Sequence, residues 1–388
     1  MAKKNDVVMD NLMGFVRKGA RVNNKSNIPT GHFDLDFAIH YGILPSAIDL
    51  NTLPDYDPST VLGLPMGKVV ELFGDPGCGK SSMAYRAVGF AQKLGYSCLW
   101  IDTEHSFSEH LAGTVNGVDL DNLYYSELFD EKDPDKNYYA EDVLDKIIDA
   151  CKSGIKVVVL DSIPNLIPKM RFETESQKIL PALMARMLAE NFGKVTHFVA
   201  KHGVCLIVVN HIRTKPGVRF GDPEDSPAGY MLKHNCSLRI RMTHRTASKW
   251  TIFGENEDGS KQVIGAYAGV NIVKNRMAKP LLDNDGKRIT LDIPIFYEPY
   301  FPNKSEMLFD MGRKLKIISV RKGVFTWGDI KEDGKSNFIN KLEKNKMVEK
   351  LLEEVKIQAN ENGSVLPPEL IRIEFKKKSA KDVNVDQK

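Results

Sequence analysis

Eight consecutive residues constrain this chain more than any others: Gly74-Asp75-Pro76-Gly77-Cys78-Gly79-Lys80-Ser81, a fit to G-x-x-x-x-G-K-[ST]. An apolar, β-branched segment, Val69 to Phe73, runs into them, and a helical pattern from Ser82 to Leu94 follows with Met83, Ala87 and Phe90 on one face. A strand feeding a glycine-rich loop that opens a helix is what polyphosphate binding needs. The glycines let backbone N–H groups turn inward, and the helix N-terminus adds partial positive charge. On this reading Gly74 through Ser82 cradle the nucleotide, Lys80 reaches the terminal phosphates, and the Ser81 hydroxyl sits on Mg²⁺. A plain structural turn would need neither flank. Cys78 is read as a small residue tolerated in the loop rather than a reactive thiol.

Around the loop, about residues 65–300, strand and helix patterns alternate. Strands are expected at Lys68–Phe73, Ser97–Asp102, Val157–Asp161 and Val204–Asn210, and helices at Ser82–Leu94, Tyr139–Lys152 and Pro181–His202. Nearly continuous apolar strands in such an alternation predict an α/β fold, a mostly parallel sheet flanked by helices. Cys236–Met242, Ser248–Phe253, Val263–Lys274 and Lys287–Phe296 read as antiparallel additions to one edge. From Asp310 the pattern becomes a small α+β unit whose main helix spans about Asn337–Asn360. Near the start, residues 6–17 read as a short amphipathic helix, and residues 43–64, with Pro45, Pro54 and Pro58, as an irregular insertion. The expected organisation is an N-terminal helix and linker over 1–30, a core over 31–305, and a small C-terminal domain with a basic tail over 306–388.

A formal net charge of +3 over 388 residues does not announce a nucleic-acid binder, so any such site has to come from local clusters. Five widely spaced cysteines without a CxxC pair argue against disulfides and zinc, and for a reducing compartment. No apolar run reaches the ~20 residues of a membrane span. The first residues lack a signal peptide's apolar core, so the expected location is the cytoplasm, a host's if the source is viral.

Three strand ends carry further chemistry. Val157-Val158-Val159-Leu160 ends in Asp161, which puts a carboxylate beside the phosphate loop, where it can hold Mg²⁺. Leu99-Trp100-Ile101-Asp102 leads to Glu104, on the ligand side of an open sheet; it either orients the attacking water or caps the next helix. Val204 to Val209 ends in Asn210-His211, placed to sense a γ-phosphate. The glycine- and proline-rich stretch after it, with Arg213, Lys215 and Arg219, is either a ligand-binding loop coupled to nucleotide state or a solvated surface loop.

Taken together these segments resemble the RecA family of strand-exchange recombinases, bacterial and phage. The resemblance runs from about Ile28 to Lys279, more weakly to about Glu349. It rests on Leu64-Pro65-Met66-Gly67-Lys68 into the phosphate loop, Ile101 to His105, Gly117 to Leu123, Val159 to Ile163, Ala185-Arg186-Met187, Asn210 to Arg213 through Phe220 to Glu224, and Ile272 to Arg276. It implies a RecA-type ATPase core using ATP and Mg²⁺. It also implies that Glu104 activates the hydrolytic water, that Lys274 and Arg276 reach the ATP of an adjacent subunit, and that Tyr297 stacks near the adenine. Residues Met170–Leu183 and His211–Leu232 match two DNA-gripping loops, which makes Arg171, Lys178, Arg213, Lys215, Gly217, Arg219 and Gly221, with Arg186 of the Ala185–Met187 segment, the implied DNA contacts. The N-terminal helix would dock on a neighbouring protomer.

The implied function is ATP-dependent homologous pairing by a helical filament on single-stranded DNA that takes up a duplex, with single-strand-binding and mediator proteins as further partners. Two other readings stay open: a recombinase paralogue that acts as a mediator, and a hexameric helicase-type motor. The chain departs from the bacterial family pattern at His211, where glutamine is usual, at Ser108 and Leu111 in place of an adenine-side Asp and Tyr, and in its insertion and basic tail.

Overall fold

The computed structural model describes residues 27–45, 60–128, 138–173, 183–214, 224–225, 229–255, 261–298, 304–321 and 323–361. Through the main sheet the elements are α1 (Phe33–Tyr41), β1 (Lys68–Gly74), α2 (Lys80–Lys93), β2 (Cys98–Asp102), β3 (Leu123–Ser126), α3 (Ala140–Lys152), β4 (Val157–Asp161), α4 (Lys169–Glu173), α5 (Leu183–His202), β5 (Cys205–His211), β6 (Arg213–Thr214), β7 (Glu224–Asp225), α6 (Gly229–Asn235), β8 (Leu238–His244), β9 (Thr251–Glu255), β10 (Lys261–Asn275) and β11 (Leu291–Phe296). Then come α7 (Lys304–Lys314), β12 (Ser319–Arg321), β13 (Val324–Trp327), β14 (Ile330–Asp333), α8 (Lys335–Lys344) and α9 (Val348–Glu361). The expected N-terminal helix at 6–17, most of the 43–64 insertion and the basic tail lie outside the described residues.

Nine strands form one sheet in the order β11-β10-β8-β1-β5-β4-β2-β3, with β9 added to β10. From β8 to β3 every pairing is parallel. The reason lies in the strands themselves. Val157 and Val159 of β4 join a core with Met83, Ala87 and Val88 of α2, whereas Val158 and Leu160 join a second core with Val143 and Ile147 of α3 and Leu188 and Phe192 of α5. A strand buried on both faces has no polar alternation to show.

The direction of β8 corrects the sequence reading. Its residues were expected to open the antiparallel edge, but β8 lies parallel to β1, with Leu72 opposite Ile240, and only β10 runs antiparallel. Alternating hydrophobicity fixes the buried face, not the strand's direction. Here α6 supplies the crossover that a parallel return requires. The strand β3, at the other edge, gave no buried run because two of its four residues, Tyr124 and Tyr125, are exposed. Ser248–Trp250 is a single 3₁₀ turn, so that strand starts only at Thr251.

Residues 304–361 carry their own core of Leu308, Phe309, Ile318, Trp327, Phe338, Leu351 and Val355, with a three-stranded antiparallel sheet. The single long helix expected there is two. Lys346 takes φ 54°, and Met347 N–H donates to Leu342 O at 3.0 Å. That left-handed residue closes α8, so Phe338 and Leu342 on one helix and Leu351 and Val355 on the other reach the same core. Among the described residues no helix is long and apolar enough to cross a membrane.

Candidate nucleotide site

The phosphate loop joins β1 to α2 at the carboxyl ends of the parallel strands. A Cβ on Gly74 would lie 2.0 Å from the Met242 carbonyl oxygen of β8, so only glycine fits between the strands. Gly79 has φ 90°, and its Cβ would meet Ile295 of β11 at 2.7 Å. Gly74 is closed to other residues by sterics, and Gly79 by its left-handed backbone as well. Helix α2 begins at Lys80, which is buried and turned back over the loop: its Nζ donates to Asp75 O at 2.6 Å and Gly74 O at 3.2 Å. His244 Nε2 meets the Pro76 carbonyl oxygen at 2.7 Å from the end of β8. In a trans peptide the C=O and N–H point opposite ways, so a Pro76 carbonyl turned out to His244 turns the Gly77 N–H toward the cradle. Cys78 is buried and its thiol is pushed up by burial, with Lys80 pulling the other way. That suits a packing residue better than a reactive one.

Ser81 Oγ donates to Asp161 Oδ2 at 2.7 Å, joining loop and β4. Asp161 is 3% exposed, and burial pushes its carboxyl up to about 6; the Glu104 and Asp102 carboxylates add to the rise, against the Ser81 hydrogen bond and the Lys80 charge. Glu104 behaves oppositely. Burial would raise it, yet hydrogen bonds from Ser162 and His211, with the positive charge of Lys80, hold it below the ordinary glutamate value. Its Oε1 accepts from Ser162 Oγ and meets His211 Nε2 at 2.8 Å. With Nε2 donating to the carboxylate, His211 Nδ1 is buried without a partner among the described residues.

Glu104 is also held through its backbone. Buried Asp102 accepts the N–H groups of Glu104, Ser106 and Phe107, each at 2.9 Å, and so folds the segment after β2 into a tight loop. The Thr103 hydroxyl donates to Ser162 O at 2.6 Å and accepts the Ser162 N–H at 2.7 Å, which fixes the tip of β2 against β4. The structure therefore brings together Lys80, Ser81, Asp161, Glu104 and His211 as the strand ends suggested.

Other expected residues lie elsewhere. Lys274 Nζ donates to Lys233 O at 2.7 Å and His234 O at 3.0 Å, and Arg276 Nη2 donates to His234 O at 2.9 Å. Both cations thus hold the carboxyl end of α6 rather than their own phosphate loop. Tyr297 is half-exposed just beyond β11, and the next residue, Glu298, pairs with His110 at 3.7 Å. Ser108 accepts the Leu111 N–H at 3.2 Å, a local turn contact. Arg171 is exposed on α4, and Arg186 on α5 pairs with Glu190 at 3.1 Å. The Arg213 backbone pairs with Asp225 in the β6–β7 hairpin. Lys178, Lys215, Gly217, Arg219 and Gly221 lie outside the described residues.

Sequence reasoning missed the roles of Asp102, Ser162 and His244. The first two sit inside recognised segments, where an acid at a strand end and a serine after Asp161 were the available signals. His244 is 168 residues from Pro76, and nothing local marks it.

A strand, a glycine-limited loop and a helix, with an acid on a neighbouring strand hydrogen-bonded to the loop serine, define a phosphate-loop α/β core. The family model for the RecA N-terminal domain matches residues 57–293. Relatives named Protein RecA include one from Porphyromonas gingivalis, 30% identical over 321 residues and covering 81% of each chain. One from Symbiobacterium thermophilum is 30% identical over 348 residues, 89% of this chain and 86% of the relative, and one from Rhodospirillum rubrum is 29% identical over 362 residues, 93% and 85%. The chain belongs to the RecA family, whose general function is ATP-dependent DNA strand exchange.

Proposed function

We propose that this chain binds ATP with Mg²⁺ in the Gly74–Ser81 loop and hydrolyses it in response to DNA, as the subunit of a strand-exchange filament. The observation that carries the reading is Glu104, a carboxylate kept ionised by Ser162 and His211 just past the end of β2, the strand beside β4 with its Asp161–Ser81 pair.

The residues suit that ligand. The left-handed backbone of Gly77 and Gly79 lets the loop turn its N–H groups toward a phosphate, and Lys80 now donates to carbonyl oxygens that phosphate oxygens can replace. Ser81 and Asp161 offer the hard oxygen donors that Mg²⁺ prefers. When bound, the metal neutralises charge on the phosphate oxygens. Asp75, Pro76, Gly77, Cys78, Gly79 and Ser82 form the rest of the cradle. Glu104 accepts a hydrogen bond from the water that attacks the γ-phosphorus. A P–O bond forms to that water as the bond to the β–γ bridging oxygen breaks, and its proton passes to the phosphate product. His211, bonded to Glu104, registers the loss of phosphate at the end of β5. Lys274 and Arg276 act on the ATP of the adjacent protomer, where fixed cations offset transition-state charge, and Tyr297 stacks on the base.

DNA is held by Arg171, Arg186 and Arg213, together with Lys178, Lys215, Gly217, Arg219 and Gly221. Contacts of this kind go to phosphates, so binding weakens as salt rises. The test is ATP hydrolysis with and without a single-stranded oligonucleotide, with Lys80→Ala as the blank. Strong stimulation that fades with salt supports the proposal. Turnover indifferent to DNA would contradict it and favour a mediator, and normal turnover by Lys80→Ala would refute the site itself.

A further inference from the structure

The chain buries a charged pair that the proposed chemistry does not use. Glu71, in the middle of β1, is 0% exposed, and its register partner on β8 is Arg239. Glu71 Oε2 accepts from Arg239 Nε, and Glu71 Oε1 accepts from Asn210 Nδ2 at 2.9 Å. The Arg239 guanidinium lies over the Phe73 ring, 4.5 Å from its centroid. On the same strands the fully buried neighbours Val70, Leu72, Ile207, Val208 and Ile240 are apolar. Replacing a buried ion pair by apolar residues of similar size is often neutral or stabilising, so stability alone does not account for it.

Its contacts run in two directions. Toward the nucleotide site, Asn210 Oδ1 accepts the His211 N–H at 2.9 Å, and His211 in turn holds Glu104. Away from it, Arg239 stands two residues after Ser237, whose N–H donates to Val69 O of β1 and whose carbonyl accepts the Arg276 N–H, both at 2.9 Å. The α6 carbonyls just upstream hold the Lys274 and Arg276 side chains. Arg239 also pairs in register with Lys274 on β10. Burial and then the Arg276 charge hold the Lys274 ammonium below its usual value; Arg239 adds to that lowering, while Glu71 opposes it. The pair is thus electrostatically in reach of that cation. Polar contacts therefore run from Ser162 through Glu104, His211, Asn210 and Glu71 to Arg239, which lies two residues from Ser237 at the α6–β8 junction and opposite Lys274 in the sheet.

We propose that Glu71 and Arg239 are positioning residues that couple the state of His211 to the α6–β8 junction and its cations Lys274 and Arg276. The proposal rests on the DNA-stimulated hydrolysis put forward above. A shift of the β5 end on nucleotide binding or loss moves Asn210, and the paired charges carry that shift across β1 to β8. Two uncharged residues of the same shape keep the sheet together but do not force the two strand ends to move as one.

The test is the double variant Glu71→Gln with Arg239→Gln, which removes both charges and keeps hydrogen-bonding groups in place. Either single variant leaves an unpaired buried charge and serves only as the folding control. The full-length double variant is compared with the unaltered protein for thermal melting, ATP affinity, hydrolysis without DNA, and stimulation by a single-stranded oligonucleotide. The expected result is unchanged melting, affinity and basal rate, with stimulation reduced about 5–150-fold, the range of an ordinary coupling between sites. Stimulation retained in a folded double variant overturns the coupling and leaves the proposed function standing. A variant that loses basal hydrolysis, ATP affinity or folding along with stimulation overturns it too, because the pair is then structural. If the unaltered protein is not stimulated by DNA, the proposed function falls and the coupling falls with it.

Discussion

Two parts of this molecule hold charge in opposite ways. At the tips of β2, β4 and β5, Ser81 is hydrogen-bonded to Asp161 and His211 to Glu104. At the end of β10, Lys274 and Arg276 donate to backbone carbonyls at the carboxyl end of α6, where the helix dipole favours cations. The first group is a site complete in its acids. The second is a pair of cations held on backbone carbonyls. On the proposed function the contrast teaches how a reaction centre can be divided: one surface would supply the loop and the water-orienting carboxylate, another positive charge, and the proposed filament would bring them together.

Removing charge from the second region gives the largest expected effect. Arg276→Ala is expected to lower DNA-stimulated turnover about 10³-fold, the lower end for loss of an arginine supplied to a phosphoryl transfer, while ATP binding by the dilute protein is unchanged. Stopped-flow or steady-state turnover beside nucleotide titration checks this. Equal loss in both would place Arg276 at its own chain's loop and dissolve the contrast.

Asp102→Ala tests the rigidity of the first region. It strips three backbone N–H groups of their acceptor, so the Glu104 loop is expected to loosen and turnover to fall about 10²-fold, as for a misplaced catalytic group. A smaller loss in ATP affinity would mark the effect as one of positioning. Asp161→Asn points the other way on stability. A carboxyl that burial pushes up to about 6 is strained as an anion at pH 7. The ligand-free variant is therefore expected to be more stable by about 1–3 kcal/mol, read by denaturant melts, while Mg²⁺-dependent tightening of ATP disappears. The smallest effect is expected at His244→Ala. Losing one hydrogen bond to the Pro76 carbonyl should raise KM for ATP about 2–10-fold with kcat unchanged, and His244→Gln should recover part of it.

Much of the first region was legible in the sequence because strand ends announce themselves. An apolar run that stops at a polar residue marked Asp161, Glu104 and His211 without any knowledge of pairing. What stayed hidden depends on contacts between distant segments. The nest that Asp102 makes for Glu104, the reach of His244 to Pro76, and the parallel entry of β8 all follow from how elements are brought together. The break between α8 and α9 was invisible for a different reason: Lys346 adopts a left-handed conformation that a lysine does not advertise. The long helical periodicity read there is real on both sides of it.

The central claim is that Glu104 acts on water and not on binding. The direct measurement is Glu104→Gln, with ATP affinity and turnover measured on the same preparation. The account predicts affinity close to that of the unaltered protein and turnover lower by about 10²–10⁴-fold, the size of a lost general base. Turnover retained in the variant, or affinity lost in step with turnover, would contradict it.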